Sequence, residues 1–407
     1  KIFRKIFQKL KKIRTRTRIL LTGEYFSLIL LSTIGMMVLV SSVELITLYV
    51  ALELSALPLV ALSAFLGDSK SSEAGLKFLL LAALSSAVLL YGLVLIFGIT
   101  GTTHLELISS QIVHGNQGSG SPILLLGVTL LIAGFGFKIA TVPFQMWVPD
   151  VYEGSPTPIT AFLSVASKAA GFAVIIRVFY IGLPSLAFDW AVLFGILSAI
   201  SMTIGNLVAI SQVNIKRMLA YSTIAHAGYM MIGLATAASA TPGTEMVFGP
   251  SAILFYLGGY VLTNLAAFIA IIAVTNRTGD ESIQGFWGIG QRAPFEAFVL
   301  AVSLVSLTGI PPTVGFMAKL FIFSSAVNAG LIWLVALGLI NSVISAYYYL
   351  RIVRGMYSSS SEDQESLLTP FLTRLALAAT VVGVLLIGIW PQGLMSVADK
   401  AILGFVP

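Results

Sequence analysis

The chain has 407 residues, 57% hydrophobic and only 10% charged, with 23 lysines and arginines against 17 acids for a net charge of +6 and a mean hydropathy of +0.97. Soluble globular domains carry about 25% charged residues, so this is a polytopic membrane protein. Cysteine is absent and the three histidines are spread over separate segments, so disulfides, iron–sulfur ligation, thiolate zinc sites and cysteine nucleophiles are excluded, a histidine metal site is not expected, and any redox chemistry belongs elsewhere.

Residues 1–23 form a separate module. Ile2, Phe3, Ile6, Phe7, Leu10 and Ile13 recur at helical spacing, Lys1, Arg4, Lys5, Lys9, Lys11, Lys12, Arg14, Arg16 and Arg18 take most other positions, and no acid precedes Glu24. This reads as a basic amphipathic helix lying on an anionic inner leaflet, with an import segment as the rival reading. The sequence does not open on methionine, so its natural start is expected upstream.

About eleven apolar runs then reach the roughly 20 residues a spanning helix needs: 24–41, 44–66, 73–98, 123–147, 157–181, 187–211, 217–236, 250–274, 295–328, 330–357 and 370–391. The run 295–328 is too long for one straight helix, and Gly309-Ile310-Pro311-Pro312 breaks it; Thr141-Val142-Pro143 interrupts the run through Lys138 in the same way. Broken helices at membrane depth survive where they line a cavity or are covered by protein, and they mark binding or ion sites.

Three lysines, Lys138, Lys168 and Lys319, lie within such runs, and Glu53 occupies the middle of another. A charge at the bilayer centre costs roughly 2.5–3.5 kcal/mol on the lenient insertion scale, and four of them on the order of 10 kcal/mol by summation, so each must face protein, water or an opposite charge. An ion path through a helical bundle is the reading this favours. A proton carrier needs both its protonated and neutral forms within reach, which lysine achieves when burial disfavours the ammonium and a nearby carboxylate favours it. Lys138 and Lys168 on adjacent helices, with Glu53 on a third, can form such an alternating set. Ser164, Ser167, Tyr221, Ser222, Thr223 and His226, with bound water, can complete a relay.

With residues 1–23 inside, the inner loops collect Lys70, Lys216, Arg217, Arg277, Arg292, Arg351, Arg354 and Arg374, and the outer loops keep essentially Lys400. The bias gives an inner N-terminus and an outer C-terminus. The helices of Lys138 and Lys319 are then five spans apart and antiparallel, which suggests two inverted five-helix units, 24–181 and 187–357, with 370–391 added outside both.

Blander readings stand beside these. Lys77, about one turn into its helix, fits snorkelling to the inner face. A structural ion pair fits the central lysines less well, a packing histidine fits His226 as well as a relay does, Arg177 fits an interfacial anchor, and Asp280, Glu281, Glu362, Asp363 and Glu365 fit solvated or partner-facing inner loops.

The run Gly136-Phe137-Lys138-Ile139-Ala140-Thr141-Val142-Pro143-Phe144-Gln145-Met146-Trp147-Val148-Pro149-Asp150-Val151-Tyr152-Glu153-Gly154-Ser155-Pro156-Thr157-Pro158 resembles the broken-helix signature of the antiporter-like subunits of respiratory complex I, more narrowly the N subunits. Leu52-Glu53-Leu54-Ser55-Ala56-Leu57-Pro58, Ser164-Val165-Ala166-Ser167-Lys168, the run from Lys216 to His226 and that from Gly309 to Lys319 are similar to the family's other motifs, and together they extend over nearly all of 24–391. The resemblance implies a subunit of a proton-translocating NADH:quinone oxidoreductase in an energy-transducing membrane, bacterial plasma membrane or mitochondrial inner membrane. Its partners would be the other membrane and peripheral subunits and the lipid bilayer, with no nucleic acid. NADH, FMN, iron–sulfur clusters and quinone would sit in partner subunits, with no cofactor or metal on this chain. By matching motif, Glu53 and Lys77 would be a coupling pair, Lys138 and Lys168 proton carriers of the first unit, and Lys319 the carrier of the second; lysine rather than glutamate at 319 sets the chain apart from the M-type subunits. The bacterial pattern has three further helices before 24–41, absent in the animal mitochondrial members, and here a basic helix stands in their place, as if they were lost, cropped or supplied by another chain. A cation/proton antiporter of the Mrp type and a membrane-bound hydrogenase share the ancestral fold and are the alternatives; a receptor or assembly scaffold leaves four central charges unexplained.

Overall fold

A computed structural model describes residues 23–114, 121–239, 248–358 and 369–403, so the N-terminal basic module and the acids Glu362, Asp363 and Glu365 lie outside the described residues. The described chain is built of helices, and nine of them are long and apolar enough to cross a membrane.

In chain order the helices are α1 (Gly23–Ser41), α2 (Leu45–Ser63), α3 (Ser69–Thr100), α4 (Leu105–His114), α5 (Pro122–Ile139), α6 (Trp147–Gly154), α7 (Thr157–Gly182), α8 (Ala187–Ile210), α9 (Ile215–Ala235), α10 (Phe248–Thr278), α11 (Pro294–Thr308), α12 (Val314–Asn328), α13 (Ile332–Ser358), α14 (Phe371–Ile389) and α15 (Gln392–Leu403). Each expected span has its helix, and the run 295–328 is the pair α11 and α12. Three helices of eight residues or more fall outside the expected set: α4, α6 and α15 have 10, 8 and 12 residues, too short to span and too amphipathic to register in a span-length window. Helix α3 begins at Ser69, with the Asp68 carboxylate accepting from Ser71 N–H at 2.7 Å, so Lys77 stands two turns into its helix rather than one.

Helix α9 is the centre of the bundle. It carries Lys216, Arg217 and a run of hydroxyls and so falls below the hydropathy of a membrane span, yet every residue in it except Arg217 and Tyr221 is buried. A helix buried all round needs close neighbours. Glycines supply the contact with α8: a Cβ added at Gly205 would lie 2.7 Å from Ala225 N, and one at Gly228 would lie 2.7 Å from Met202 N. The outward faces of α1, α3 and α13 present Phe26, Leu30, Leu80, Leu84, Ile340 and Val343, as a bilayer solvent requires.

The two ends of the bundle differ in charge. At one, Lys77 pairs with Glu73 and Asp150 at 2.8 Å each, Arg217 with Asp150 at 2.7 Å and Glu153 at 3.0 Å, and Lys216 with Glu281 at 2.8 Å. Glu281, expected in a solvated or partner-facing loop, is thus the counter-ion of a buried lysine. At the other end Glu44 accepts from Thr103 at 2.7 Å, which with Thr47 holds its carboxyl below the usual range, and Arg177 donates to the Val40 carbonyl at 2.9 Å.

Candidate proton-transfer axis

At both helix breaks a serine hydroxyl takes up a backbone N–H that the broken ladder leaves free. In the first, α5 ends at Ala140, whose φ of 64° is left-handed and costs a non-glycine residue on the order of 1–2 kcal/mol. Beyond it Val142 N–H donates to Ser201 Oγ of α8 at 3.0 Å, Ser201 also bonds Thr141 Oγ1 at 2.8 Å, and the Trp147 indole of α6 donates back to the Phe137 carbonyl at 3.0 Å. Pro143, which has no N–H, follows directly. In the second break Gly309 adopts φ 90°, Pro311 and Pro312 carry the chain across, and Gly315 N–H donates to Ser306 Oγ at 3.2 Å. Serine hydroxyls therefore stitch both interruptions.

Lys138 lies one residue before the end of α5, 8% exposed, and donates to Ser55 Oγ of α2 at 2.9 Å. It shares a cavity of about 390 Å³ with Glu53, Ser86 and Ser167, room for several waters. Glu53 accepts a short hydrogen bond from Ser86, whose hydroxyl also bonds Tyr49 at 2.9 Å. Lys138 and Glu53 thus face one cavity and interact through their charges, with Ser55 and Ser86 as their respective hydrogen-bond partners. Lys77 does not join it: it stands nine residues before Ser86 on α3, about 13.5 Å along the helix, and pairs with Asp150 and Glu73 instead.

From the cavity the polar groups continue inward. Ser167 lines it and Lys168 is the next residue, starting a fresh α-helical stretch after the π-helical turn Leu163–Ser167. Such a turn carries an extra residue and often marks a functional position. Gly171, one turn on from Lys168, gives Lys138 its room: an added Cβ would sit 3.3 Å from Lys138 Cγ. Lys168, 3% exposed, donates a short hydrogen bond to the Thr223 carbonyl of α9 and lies 5.7 Å from the centroid of the Tyr260 ring. The Tyr260 hydroxyl bonds Thr223 Oγ1 at 2.8 Å and accepts from Asn264 at 3.1 Å, and Asn264 also donates to Ser164 Oγ at 2.7 Å. His226 follows one turn along α9, its Nδ1 on Tyr256 Oη at 2.7 Å and its Nε2 3.4 Å from Tyr349 Oη, which Ser222 also bonds. The His226 ring is 5.8 Å from that of Tyr229, and the Tyr229 ring is 4.7 Å from Lys319 Nζ. Lys319, 5% exposed, reaches back across the second break to the Thr308 carbonyl at 2.8 Å, at the negative end of the α11 dipole.

A row of polar groups therefore runs from half-buried Glu53 through buried Lys138, Lys168 and His226 to Lys319, with the Tyr229 ring between the last two. Tyr221 is half-buried, with no hydrogen bond to that row among the described residues. Reading the charges alone misses Tyr229, Tyr256, Tyr260, Tyr349, Asn206 and Asn264; a polar side chain inside an apolar run was the available signal. Glu296, an acid at the start of the run 295–328, is not among the expected site residues; it is 1% exposed and its carboxylate is 3.6 Å from Arg374 of α14.

The family model described as "NADH:quinone oxidoreductase/Mrp antiporter, TM" matches residues 42–345. NADH-quinone oxidoreductase subunit N of Dehalococcoides mccartyi is 44% identical over 385 residues, covering 93% of this chain and 79% of the relative; that of Desulforamulus reducens is 45% identical over 384 residues, covering 94% and 78%. Among solved structures, respiratory complex I from Thermus thermophilus with bound aureothin contains a chain similar at a TM-score of 0.77 and 36% identity, covering 92% of this chain and 79% of that one. The Mrp complex of Dietzia sp. DQ12-45-1b has a similar fold, at a TM-score of 0.83 and 22% identity over 93% of this chain and 77% of that one. The matched span and the identity to these relatives show that the chain belongs to the NADH:quinone oxidoreductase/Mrp antiporter transmembrane family, among its subunit N members.

Proposed function

We propose that the chain moves protons within an NADH:quinone oxidoreductase as a non-redox membrane subunit, in a bacterial plasma membrane or mitochondrial inner membrane. NADH, FMN, iron–sulfur clusters and quinone are then carried by partner subunits, and other membrane and peripheral subunits of the complex are its partners. The observation that carries this reading is the row of polar groups from Glu53 to Lys319, in which a cavity able to hold water joins Glu53 and Lys138, the Thr223 and Tyr260 groups lie between Lys168 and His226, and the Tyr229 ring stands between His226 and Lys319.

Glu53 and Lys138 exchange a proton through the water and hydroxyls of their cavity, Lys168 passes it to the Thr223, Tyr260 and His226 group, and Lys319 is the last carrier. Lys77 serves this path indirectly, through Asp150, by anchoring α6, the far half of the first broken helix. The architecture we assign is two inverted five-helix units, 24–181 and 187–357, with 370–391 outside both. The broken helix is the fourth member of each five, which supports it. Stronger identity to subunit N than to the Mrp fold neighbour favours the oxidoreductase over an antiporter.

Lys138→Ala tests the reading. It removes a carrier and leaves Glu53 without its cavity partner, so membrane vesicles should oxidise NADH with a depressed proton-to-electron ratio. A wild-type ratio in the assembled variant complex rules out the role.

A further inference from the structure

Lys319 has two contacts that favour its ammonium, the Thr308 carbonyl and the Tyr229 ring. The first is fixed by the end of α11. The second depends on how a tyrosine ring is held, and the groups holding it lie on two other helices.

Tyr229 is 1% exposed, and its hydroxyl accepts from Asn206 Nδ2 of α8 at 3.3 Å and from Ser342 Oγ of α13 at 3.4 Å. Both bonds are longer than the usual range, so each alone is a weak restraint and the ring is held by the two together with its packing. Asn206 is fully buried: its amide nitrogen, which has two hydrogens, shares them among Tyr229 Oη, the Met202 carbonyl at 2.9 Å and Asn341 Oδ1 at 3.3 Å, and its oxygen accepts from Tyr348 at 2.9 Å. Asn341 in turn donates to Thr203 Oγ1 at 3.3 Å and the Leu337 carbonyl at 3.0 Å. Two buried asparagines facing each other across α8 and α13 carry no charge and no titratable proton at neutral pH. Fully satisfied amides in such a place fix the register of their helices, and here the free end of the network is the Tyr229 hydroxyl.

We infer that Asn206 is a positioning residue which, with Ser342, holds the Tyr229 ring over the Lys319 ammonium and so sets the pH range over which Lys319 transfers protons. The inference rests on the reading of Lys319 as a proton carrier. A cation over a desolvated aromatic face is stabilised, and the neutral amine gains nothing from that face. A ring that swings away therefore lets the lysine lose its proton at lower pH. The helices packed against α12 are α9, α10, α11, α13 and α14. On the axis side they bring His226, Tyr256 and Tyr349, joined in one hydrogen-bonded group. Glu296 of α11 stands twelve residues before Thr308, about 18 Å along the helix, beside Arg374 of α14. No carboxylate on those helices competes with the ring for the ammonium.

The test uses the whole complex in membrane vesicles, with the proton-to-electron ratio measured from pH 6 to 9. Asn206→Leu and Tyr229→Leu should each move the high-pH fall-off down by about one pH unit, the size of one lost cation–π contact. The double variant should shift no further, because both act through one ring. An unmoved midpoint in Asn206→Leu, or additive shifts in the double variant, overturns the inference. Where Asn206→Leu does not assemble, Tyr229→Phe keeps the ring and its packing but removes the hydroxyl that Asn206 holds; a smaller shift in the same direction is expected, and an unmoved midpoint is again decisive against it. Lys319→Ala separates the two failures: a retained wild-type ratio there sinks the carrier reading itself, whereas a lost ratio with unmoved Asn206 and Tyr229 variants sinks only the positioning role.

Discussion

Ser201→Ala is the smallest change that attacks the first helix break without touching a charge. Ser201 and Thr141 are both fully buried, so no solvent replaces the lost hydroxyl. The Val142 N–H loses its acceptor at 3.0 Å and Thr141 loses its partner at 2.8 Å. An orphaned buried donor costs about 1–3 kcal/mol, and the hydroxyl pair adds about 1 kcal/mol. Thr141 retains a fallback at 3.4 Å to the Val142 carbonyl, which places the expected loss at roughly 2–3 kcal/mol. The break also positions Lys138, three residues upstream, so proton transfer should suffer along with stability. Heat-inactivation midpoints of the purified complex and the amount assembled in membranes measure the first effect, and the proton-to-electron ratio measures the second. Ser201→Thr keeps the hydroxyl and should retain most of both. If Ser201→Ala matches wild type in all three while Ser201→Thr is the worse variant, the hydroxyl does not hold the break and the reasoning fails.

Replacing Pro311 and Pro312 with alanine should let α11 and α12 join, bury the Thr308 carbonyl in a helical hydrogen bond and strand Lys319 in a drier setting. The complex should assemble with a reduced proton-to-electron ratio, and an unchanged ratio would show that the break is not needed. Asp150 gives a pH test at the charged end. Burial pushes its carboxyl up, but the hydrogen bonds and charges of Lys77 and Arg217 outweigh this and hold it below the ordinary aspartate value. A lowered folded value means stabilisation that is present above the unfolded value, near about 4, and lost as pH falls through the folded one. Asp150→Asn should therefore flatten the acid-side loss of stability below about pH 4, and superimposable acid-dissociation curves would show that the pairing contributes nothing.

Much of this molecule was legible because a bilayer punishes exceptions. Lys138, Lys168 and Lys319 stand out in apolar runs, and Pro143 and Pro311-Pro312 announce breaks whatever surrounds them. What stayed hidden was pairing across the bundle. Lys77 and Glu53 share a motif-level expectation, yet α3 turns Lys77 toward Asp150 and Ser86 toward Glu53, a matter of helical phase and of a helix that starts at Ser69. The tyrosines of α9, α10 and α13 and the asparagines at 206, 264 and 341 were hidden for another reason. Tyrosine reads as apolar in a hydropathy window and a single asparagine barely lowers it, so only the fold reveals that their polar tips meet.

Cycling of Lys319 between protonated and neutral forms is the claim on which the rest depends. Arginine at that position keeps the charge and much of the length, can still donate to the Thr308 carbonyl and stack on Tyr229, but does not release its proton at any physiological pH. The measurement is the proton-to-electron ratio of vesicles carrying the assembled Lys319→Arg complex. A ratio well below wild type is predicted; full proton pumping would contradict the account and leave the charge at 319 a purely structural one.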